Sequence, residues 1–414
     1  MPEWSSACTF WCRKLCADVH VKFQKKKILT FSVILGTLLF VSVGTLWFNN
    51  SSGLTYKIIY IENTSSPHPM TSSPTPSGST VSVGPPKLQV LLMTYGRSGS
   101  SFTSALISHH PDVFFTFEPL YVVMRQIEAE QRKPFVGWHR LRTFAKNDKE
   151  LESRAIINAF LNCKFQLEDI YALDNAQHKN SDATKDFYVC LRAKKDGVLH
   201  LACFLHFLKT CQNHKTTFVK TIRFRAKWAE WFLENSPNFK LLFLVRDPRA
   251  TLYSQSQVFR DFDWKTEVHN VSTGHCKVLE EDLSQAERLS ALYPGRVKAI
   301  RYEEGAMDPY NYTRRIYEFL GLDLNEAVLD YIRNITNSTA DVKQTQKAYS
   351  IVKNNSTLAM NRWRYGAGFA SVKVTDRNCG HLYSKLGYKF VRSQRDLESD
   401  RSLVDRPEPG GLFD

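Results

Sequence analysis

The sequence predicts an α/β fold in which a mostly parallel, P-loop-like central sheet is flanked by helices and preceded by one N-terminal transmembrane helix. Three observations lead to this prediction. Apolar runs typical of buried strands alternate with helical patterns from residue 88 onward. A Gly/Ser-rich turn follows the first of these strands, and a segment without charge lies close to the N-terminus.

The N-terminal region has the charge pattern of a type II membrane anchor. Residues 1–27 carry six Lys and Arg against two acids and are predicted to be a cytoplasmic tail. The segment 28–48 has 21 residues without a charge, and as a helix it would be about 31 Å long, enough to cross a bilayer. A cleaved signal peptide is the alternative, but the sequence Trp47-Phe48-Asn49-Asn50 lacks the small residues of a cleavage site.

A stem is predicted at 49–86, because 19 of the 24 residues from Asn63 to Pro86 are Ser, Thr, Pro or Gly. We expect a folded domain at 87–392, in the lumen, followed by a C-terminal tail at 393–414. N-x-S/T acceptors are spread along the chain outside the cytoplasmic tail. They are Asn49, Asn50, Asn63, Asn270, Asn311, Asn334, Asn337, Asn354 and Asn355. They indicate a protein of the secretory pathway.

The net charge of +14 favours a polyanionic partner. Such a partner could be nucleic acid, acidic lipid or an acidic glycan, and the secretory features argue against nucleic acid. Of nine cysteines, three precede the membrane segment, and we expect the remaining six to form disulfides of undetermined pairing. Those six are Cys163, Cys190, Cys203, Cys211, Cys276 and Cys379. A zinc site is the alternative, but no C-x-x-C pair supports it.

The stretch from residue 88 to 110 predicts an anion-binding turn. A strand at Leu88–Thr94 leads into a Gly/Ser turn and a helix that begins near Ser100 and stops before Pro111. The amides of such a turn and of the first helical turn converge on one point, where the helix dipole favours an anion. An ordinary strand-to-helix turn is the alternative. A nucleotide-kinase P-loop is excluded, because no Gly-Lys-Ser/Thr follows.

The residues of this turn suit a phosphate or sulfate. Gly96 and Gly99 allow the backbone to approach a ligand closely. Ser98, Ser100 and Ser101 supply hydroxyl donors, and Arg97 supplies a planar, permanently charged guanidinium.

The remaining strands and helices follow at the spacing of an α/β sheet. Further strands are predicted at Val113–Phe117, Phe218–Thr221, Phe239–Val245 and Val297–Tyr302, and helices at Ala226–Glu234, Arg246–Ser254 and Tyr312–Leu320. Residues 121–215 are predicted to be a mostly helical insertion that faces the acceptor. The aromatic residues of 226–234 are expected to pack on the sheet, with sugar stacking as the alternative. Ligands of such a sheet bind at the carboxyl ends of the strands.

Four motifs resemble those of the Golgi carbohydrate 6-O-sulfotransferases, which act on galactose, N-acetylgalactosamine or N-acetylglucosamine. They are GRSGSSF at 96–102, FEPL at 117–120, VRDPRATLYS at 245–254 and the pair Trp363-Arg364. The resemblance is greatest to the keratan sulfate galactose and chondroitin 6-O-sulfotransferase branch and extends from about residue 87 to 389. It implies a sulfotransferase fold, a Golgi membrane location and an acidic glycan acceptor of keratan or chondroitin type.

The resemblance also implies the donor, 3'-phosphoadenosine-5'-phosphosulfate (PAPS), and no metal. Gly96, Arg97, Ser98, Gly99, Ser100, Ser101 and Phe102 would bind its 5'-phosphosulfate. Arg246 and Ser254 would bind its 3'-phosphate, and Asp247, Pro248 and Arg249 belong to the same motif. The alternative for Arg-Asp-Pro-Arg is a helix N-terminus, with Asp247 as the cap, Pro248 at the first position and the arginines in surface salt bridges.

Catalysis is assigned to three residues. Glu118 is the candidate base for the sugar hydroxyl, with a structural, Arg-paired carboxylate as the alternative. Arg97 would act by charge alone, because a guanidinium does not release its proton at ordinary pH. Lys220 is a third catalytic candidate, and Arg223 is a candidate for substrate binding. Both would contact the sulfuryl oxygens or the acidic glycan. Tyr302-Glu303 is predicted to be structural.

Two other functions remain as alternatives to a sulfotransferase. One is an inactive, glycan-binding homologue, and the other is a nucleotide-dependent kinase of the same fold. The acceptor sugar and the oligomeric state are left open.

Overall fold

The computed structural model describes residues 87–129, 132–134, 141–143, 146–166, 172–193, 201–336, 356–405 and 412–413. Its strands are β1 (Leu88–Met93), β2 (Val113–Phe117), β3 (Arg132–Pro134), β4 (Leu141–Thr143), β5 (Thr216–Thr221), β6 (Phe239–Val245) and β7 (Val297–Arg301). Five of them form a parallel sheet in the order β2-β5-β1-β6-β7, while β3 and β4 pair as a separate antiparallel hairpin. The predicted α/β fold with a parallel central sheet is confirmed.

Sixteen α-helices lie within the described residues. They are α1 (Ser100–Ser108), α2 (Tyr121–Glu128), α3 (Lys149–Asn162), α4 (Asp182–Arg192), α5 (Leu201–Asn213), α6 (Glu230–Asn235), α7 (Pro248–Val258), α8 (Val268–Leu292), α9 (Tyr302–Met307), α10 (Pro309–Leu320), α11 (Glu326–Thr336), α12 (Ser356–Asn361), α13 (Trp363–Gly366), α14 (Phe369–Cys379), α15 (Tyr383–Leu386) and α16 (Gln394–Leu397). Short 3₁₀ turns precede α3, α4, α6 and α15.

Both faces of the sheet are buried, as the continuous apolar runs of β1 and β6 require. Side chains alternate between the faces along a strand. Leu91 and Met93 of β1 therefore join the core on the side of α3, α5 and α8, whereas Val90 and Leu92 join the core on the side of α1, α10 and α11.

The five parallel strands bring their carboxyl ends to one edge of the sheet. β1 lies at the centre, with β5 on one side and β6 on the other. Met93 at the end of β1 is level with Thr221 of β5 and Phe243 of β6. The loops that follow these strands therefore meet at the position where α/β sheets bind ligands.

The six cysteines after the stem form three disulfides, Cys163–Cys211, Cys190–Cys203 and Cys276–Cys379. The first two are local to the predicted helical insertion. The third joins α8 to α14 across 103 residues of sequence. Disulfide formation was expected, whereas the pairing could not be read from the sequence.

The predicted elements of the core agree closely with the observed ones. β2 and β6 have the predicted limits, β5 begins two residues earlier, and β7 ends one residue earlier. The predicted helix at 226–234 is a 3₁₀ turn followed by α6. Trp228 and Phe232 of this segment are buried in the core beside the sheet, as predicted.

Several parts of the chain were absent from the predicted elements. One is α8, a helix of 25 residues between β6 and β7. Another is the series of short helices from α11 to α15, between Glu326 and Leu386. A third is the region predicted as a tail, where Leu397, Leu403, Leu412 and Phe413 are buried. The backbone N–H of Ala299 in β7 donates to the carbonyl oxygen of Leu412 at 2.9 Å, so the chain's last described residues pack beside the sheet.

The described residues contain no helix with the length and apolar character that a bilayer crossing needs. The predicted membrane segment at 28–48, the cytoplasmic tail and the stem lie outside the described residues.

Candidate active site

The turn between β1 and α1 forms the predicted anion cradle. Gly99 is the N-cap of α1 with a φ of 85°, and no side chain caps this helix. Its first turn contains no acidic residue, so the N–H groups and the positive dipole end remain available to an anion. A Cβ at Gly99 would lie 2.0 Å from the ring of Tyr302, which makes glycine a steric requirement here.

The two arginine motifs meet at this cradle. An Nη1 N–H of Arg246 donates to the carbonyl oxygen of Arg97 at 2.8 Å. The Nε of Arg97 donates to Oγ of Ser254 at 3.2 Å. Both arginines leave the carboxyl ends of adjacent strands, β1 and β6, which explains how residues 149 positions apart come together.

Tyr302 and Gln255 complete the wall of the cradle. The guanidinium of Arg246 lies 4.7 Å from the centre of the Tyr302 ring, and the Gln255 side chain donates to the carbonyl oxygen of Gly96 at 2.8 Å. Burial raises the pKa of Tyr302, so its phenol remains neutral. Gln255 was not predicted from the sequence. The signal that could have identified it is its position directly after Ser254.

The residues present fit an anionic donor. Within the described part of the chain, Oγ of Ser98 and Nε of Arg246 are buried and make no hydrogen bond. Buried polar atoms are normally paired, so two such atoms at one arginine-rich turn indicate a polar ligand. The described residues hold no cluster of His, Cys, Asp or Glu with the arrangement of a metal site.

Glu118 lies at the end of β2 in a buried cluster of donors and is 3% exposed. Its Oε1 accepts from Nζ of Lys220 at 2.7 Å and from the backbone N–H of Ile222 at 3.0 Å. Its Oε2 accepts from Nη1 of Arg223 at 2.7 Å. The carboxylate thus links the carboxyl ends of β2 and β5 and is held in one orientation.

Burial lowers the pKa of Lys220, and the nearby Glu118 carboxylate opposes this shift. The Lys220 ammonium also lies 4.2 Å from the centre of the Phe117 ring. Arg223 is more open, with 27% of its side chain exposed, and lies 5.0 Å from the centre of the Tyr121 ring. The cluster therefore has one buried cation and one that reaches solvent.

Two non-glycine residues at this edge have left-handed backbone conformations. The φ of Arg97 is 66° and the φ of Glu118 is 50°. Such conformations cost free energy and are concentrated at functional sites. Glu118 directly follows β2 and Arg97 lies in the turn after β1, which supports the assignment of this edge as the site.

The remaining residues of the second motif bind the protein itself. Asp247 caps α7 by accepting from the N–H of Arg249 at 2.9 Å, and Pro248 occupies the first turn. The side chain of Arg249 is fully buried between Asp247 and Asp376. The helix-start alternative is therefore correct for Asp247 and Pro248, although Arg249 is in the interior rather than at the surface. The predicted donor contacts of these three residues stay predictions.

Glu303 and Arg364 are also structural. Glu303 accepts from the N–H of Asp247 at 3.0 Å and from the hydroxyl of Tyr388 at 2.9 Å. Arg364 donates to carbonyl oxygens of the C-terminal segment, including that of Leu397 at 2.6 Å. Arg364 of the pair Trp363-Arg364 thus anchors the end of the chain in this structure.

Comparison with known proteins identifies the family. A family model described as "Sulfotransferase family" matches residues 90–326, which is more than half of the chain. The protein belongs to the sulfotransferase family and is a sulfotransferase enzyme.

Curated relatives cover most of the chain. Carbohydrate sulfotransferase 1 of Rattus norvegicus is 27% identical over 371 residues, covering 77% of this chain and 84% of that protein. Carbohydrate sulfotransferase 1 of Homo sapiens is 26% identical with the same coverage. Carbohydrate sulfotransferase 3 of Mus musculus is 25% identical over 363 residues and covers 78% of this chain and 72% of that protein.

Among solved structures, this chain is similar to the sulfotransferase domain of the Synechococcus PCC 7002 olefin synthase. The TM-score is 0.36 at 13% identity, with 73% of this chain and 98% of that one covered.

Proposed function

We propose that this protein transfers the sulfuryl group of PAPS to the 6-hydroxyl of a sugar in an acidic glycan. The observation that carries the proposal is the direct contact of the two arginine corners, in which Arg246 donates to the carbonyl oxygen of Arg97. Two permanently charged groups and a helix N-terminus thus lie next to one another, which suits a donor that carries more than one anionic group.

The donor would be held at both of its charged ends. The amides of 98–101, the Ser98 hydroxyl and Arg97 suit the 5'-phosphosulfate. Arg246, with its unpaired Nε, and Ser254 suit the 3'-phosphate. When bound, the donor supplies a sulfuryl group on a phosphate leaving group. Arg97 stabilises the negative charge that grows on that phosphate without giving up a proton.

Glu118 is proposed to take the proton of the sugar hydroxyl. In the transfer, the new bond joins sulfur to the sugar oxygen, the bond from sulfur to the phosphate oxygen breaks, and the hydroxyl proton moves to the Glu118 carboxylate. Lys220 and Arg223 orient this carboxylate at 2.7 Å each. Arg223, which reaches solvent, is the better placed of the two to contact the glycan.

The acceptor and the location extend the proposal beyond the enzyme class. Curated relatives named carbohydrate sulfotransferases support a sugar acceptor, and the net charge of +14 supports an acidic chain. The keratan or chondroitin type, with galactose or N-acetylgalactosamine as the sugar, is what the motif resemblance implies. The basic N-terminal tail, the uncharged segment at 28–48 and the sequons support a single-pass type II Golgi membrane protein with a lumenal catalytic domain.

The test is to incubate the full-length protein with radiolabelled PAPS and a panel of desulfated keratan, chondroitin and heparan chains, followed by disaccharide analysis. We expect label at carbon 6 of galactose or N-acetylgalactosamine. We also expect Arg97→Ala to abolish transfer and Arg246→Ala to weaken PAPS binding. Label on another ring position would contradict the acceptor assignment, and binding of ATP in preference to PAPS would contradict the donor assignment.

Membrane topology needs a separate test. In sealed microsomes from expressing cells, an epitope at the N-terminus should be open to protease, whereas an epitope at the C-terminus should be protected and the sequons glycosylated. The reverse pattern would overturn the type II orientation.

A further inference from the structure

The second half of helix α7 is hydrogen-bonded to the anion cradle. Ser254 accepts from Nε of Arg97 at 3.2 Å, and the next residue, Gln255, donates to the carbonyl oxygen of Gly96 at 2.8 Å. The helix ends at Val258, and the residue after it, Phe259, is its C-cap. The position of Phe259 is therefore fixed relative to the cradle by two hydrogen bonds within the preceding turns.

The ring of Phe259 lies over the first residue of the cradle. A Cβ added to Gly96 would be 3.0 Å from Cε2 of Phe259 and 3.6 Å from Cδ1 of Ile222. Glycine at 96 is therefore what allows the ring to approach the turn so closely. The backbone N–H of Ile222 also donates to Glu118, so Ile222 contacts the candidate base while its side chain lies at the same glycine as the Phe259 ring.

Although it lies next to the site, Phe259 is 39% exposed. An aromatic ring that packs against the protein along one edge and is otherwise open to solvent forms a platform on which the C–H face of a pyranose can stack. The acceptor sugar must reach the cradle for its hydroxyl to meet the sulfuryl group. Phe259 thus lies between the solvent and the cradle, where an acceptor sugar would enter.

A cation follows this ring directly. Arg260 is exposed, has a left-handed φ of 56°, and forms no ion pair with any of the described residues. A non-glycine residue in this conformation is uncommon in a surface turn. Arg223, the residue after Ile222, is a second partly exposed cation, and it is paired with Glu118.

We propose that Phe259 and Arg260 form an acceptor subsite, in which the Phe259 ring stacks on a pyranose and Arg260 binds a sulfate or carboxylate of the same glycan chain. This inference rests on the proposed function and adds a specificity-determining contact to it. The subsite selects an anionic sugar chain over a neutral one.

The experiment measures glycan binding and donor binding separately on the full-length protein. The probes are a sulfated keratan octasaccharide, its desulfated counterpart and PAP, the desulfated donor product, each titrated by calorimetry. Phe259→Ala should weaken octasaccharide binding about tenfold, while Phe259→Trp, which keeps the ring, should remain within about twofold of the wild type. The affinity for PAP should be unchanged in both variants.

Kinetics provide a second readout. Phe259→Ala should raise the acceptor KM by a similar factor with kcat nearly unchanged, because the ring contacts the sugar before and during transfer alike. Arg260→Gln should weaken binding of the sulfated octasaccharide about threefold more than binding of the desulfated one, and this difference should vanish at high salt. Phe390→Ala removes another exposed ring, 53% exposed and in the C-terminal part of the chain, and is the matched control.

Three outcomes would overturn the subsite. They are unchanged glycan binding by Phe259→Ala, an equal loss of PAP binding, and an equal effect of Arg260→Gln on both octasaccharides. A wild-type protein that binds PAP and transfers sulfate while Phe259→Ala behaves normally would refute the subsite alone. A wild-type protein that binds neither PAP nor any glycan would refute the proposed function, and the subsite with it.

Discussion

Glu118 has two roles to reconcile at the scale of the single residue. Its carboxylate is fixed by Lys220, Arg223 and the N–H of Ile222, as a structural ion pair would be. The same contacts would also orient the carboxylate as a general base, whose proton-accepting oxygen must face the cradle. Its left-handed backbone conformation costs free energy, and residues in such conformations are concentrated at functional sites.

Substitution of Glu118 separates these roles. Glu118→Gln should lower sulfuryl transfer at least about 100-fold, because an amide takes no proton. It should also lower the free energy of unfolding by about 3 kcal/mol, because the buried Lys220 loses its charged partner. Transfer assays and denaturant titrations measure the two effects.

A double variant supplies the control. Glu118→Gln combined with Lys220→Met removes both charges and should restore most of the stability but no transfer. Recovery of transfer in the double variant would show that Glu118 serves only to neutralise Lys220.

Because the His178 ring is buried, we expect the folded protein to lose stability in acid. Its ring is fully buried among Phe160, Phe187 and Phe207, and burial lowers its pKa to about 4. The unfolded chain binds a proton below its ordinary pKa of 6.5, whereas the folded chain does so only near 4. Stability is therefore complete above pH 6.5 and decreases as the pH falls toward 4.

The expected contribution of His178 to the decrease in the free energy of unfolding between pH 7 and pH 5 is about 2 kcal/mol. Burial also lowers the pKa of His275 to about 4, so this histidine adds its own contribution. Denaturant titrations at the two pH values should show the decrease in the wild type and should show a smaller decrease in His178→Leu. His206→Gln, an exposed histidine on α5, is the control and should behave as the wild type does. An equal pH dependence in His178→Leu would contradict the assignment to His178.

At the scale of the element, α8 supports the cradle from behind. Asp282 of this helix accepts from the hydroxyl of Tyr95, the residue before Gly96, at 2.8 Å. It also accepts from Arg225 and from the N–H of Ala226, which follow β5. The disulfide between Cys276 and Cys379 joins the same helix to α14. One helix thus connects the loops after β1 and β5 with the C-terminal part of the chain.

The disulfides offer a matched comparison of loop length. Closing a longer loop removes more entropy from the unfolded chain. Replacing Cys276 and Cys379 by alanine, at a separation of 103 residues, should therefore destabilise more than replacing Cys190 and Cys203, at a separation of 13. The expected difference is roughly 2 kcal/mol in the free energy of unfolding. Denaturant titrations of the two double variants measure it, and equal losses would contradict the loop-entropy explanation.

At the scale of the whole molecule, the C-terminal segment completes the domain. Arg364 donates to the carbonyl oxygens of Leu397 and Arg401, and Nη1 of Arg301 at the end of β7 donates to that of Asp405 at 2.7 Å. Leu397 and Leu403 are buried in the cluster formed by α7, α13 and α14. These residues lie beyond position 392, where the sequence placed the end of the domain.

Removal of this segment tests its contribution. A chain that ends after Arg392 should unfold at a temperature lower by at least about 10 °C or fail to remain soluble, because four buried apolar side chains and the hydrogen bonds of Arg301 and Arg364 to this segment are lost. The milder change Leu397→Ala should cost about 3 kcal/mol, whereas Arg395→Ala, at an exposed neighbour, should cost little. An unchanged melting temperature after truncation would show that the segment is dispensable.

The parts predicted well are those with a local physical signature. β1, β2 and β6 are apolar apart from one residue each because both faces of the sheet are buried, and such runs are visible without knowledge of the fold. The helix α8 was missed because its first half contains β-branched residues and Gly274, which weaken the helical signal. Packing against α14 and the core compensates for this weakness in the folded protein.

The sequence by itself determined the strands of the core, the glycine and serine turn, and the charged residues that follow the strand ends, because each depends on neighbours within a few positions. Tertiary structure alone decided which of these residues meet. The insertion of β5 between β2 and β1 pairs Glu118 with Lys220, the burial of Arg249 takes its charge into the interior, and the end of α7 places Phe259 over Gly96. These contacts join residues from separate strands and helices, and the order of strands in a sheet is not encoded in any single segment.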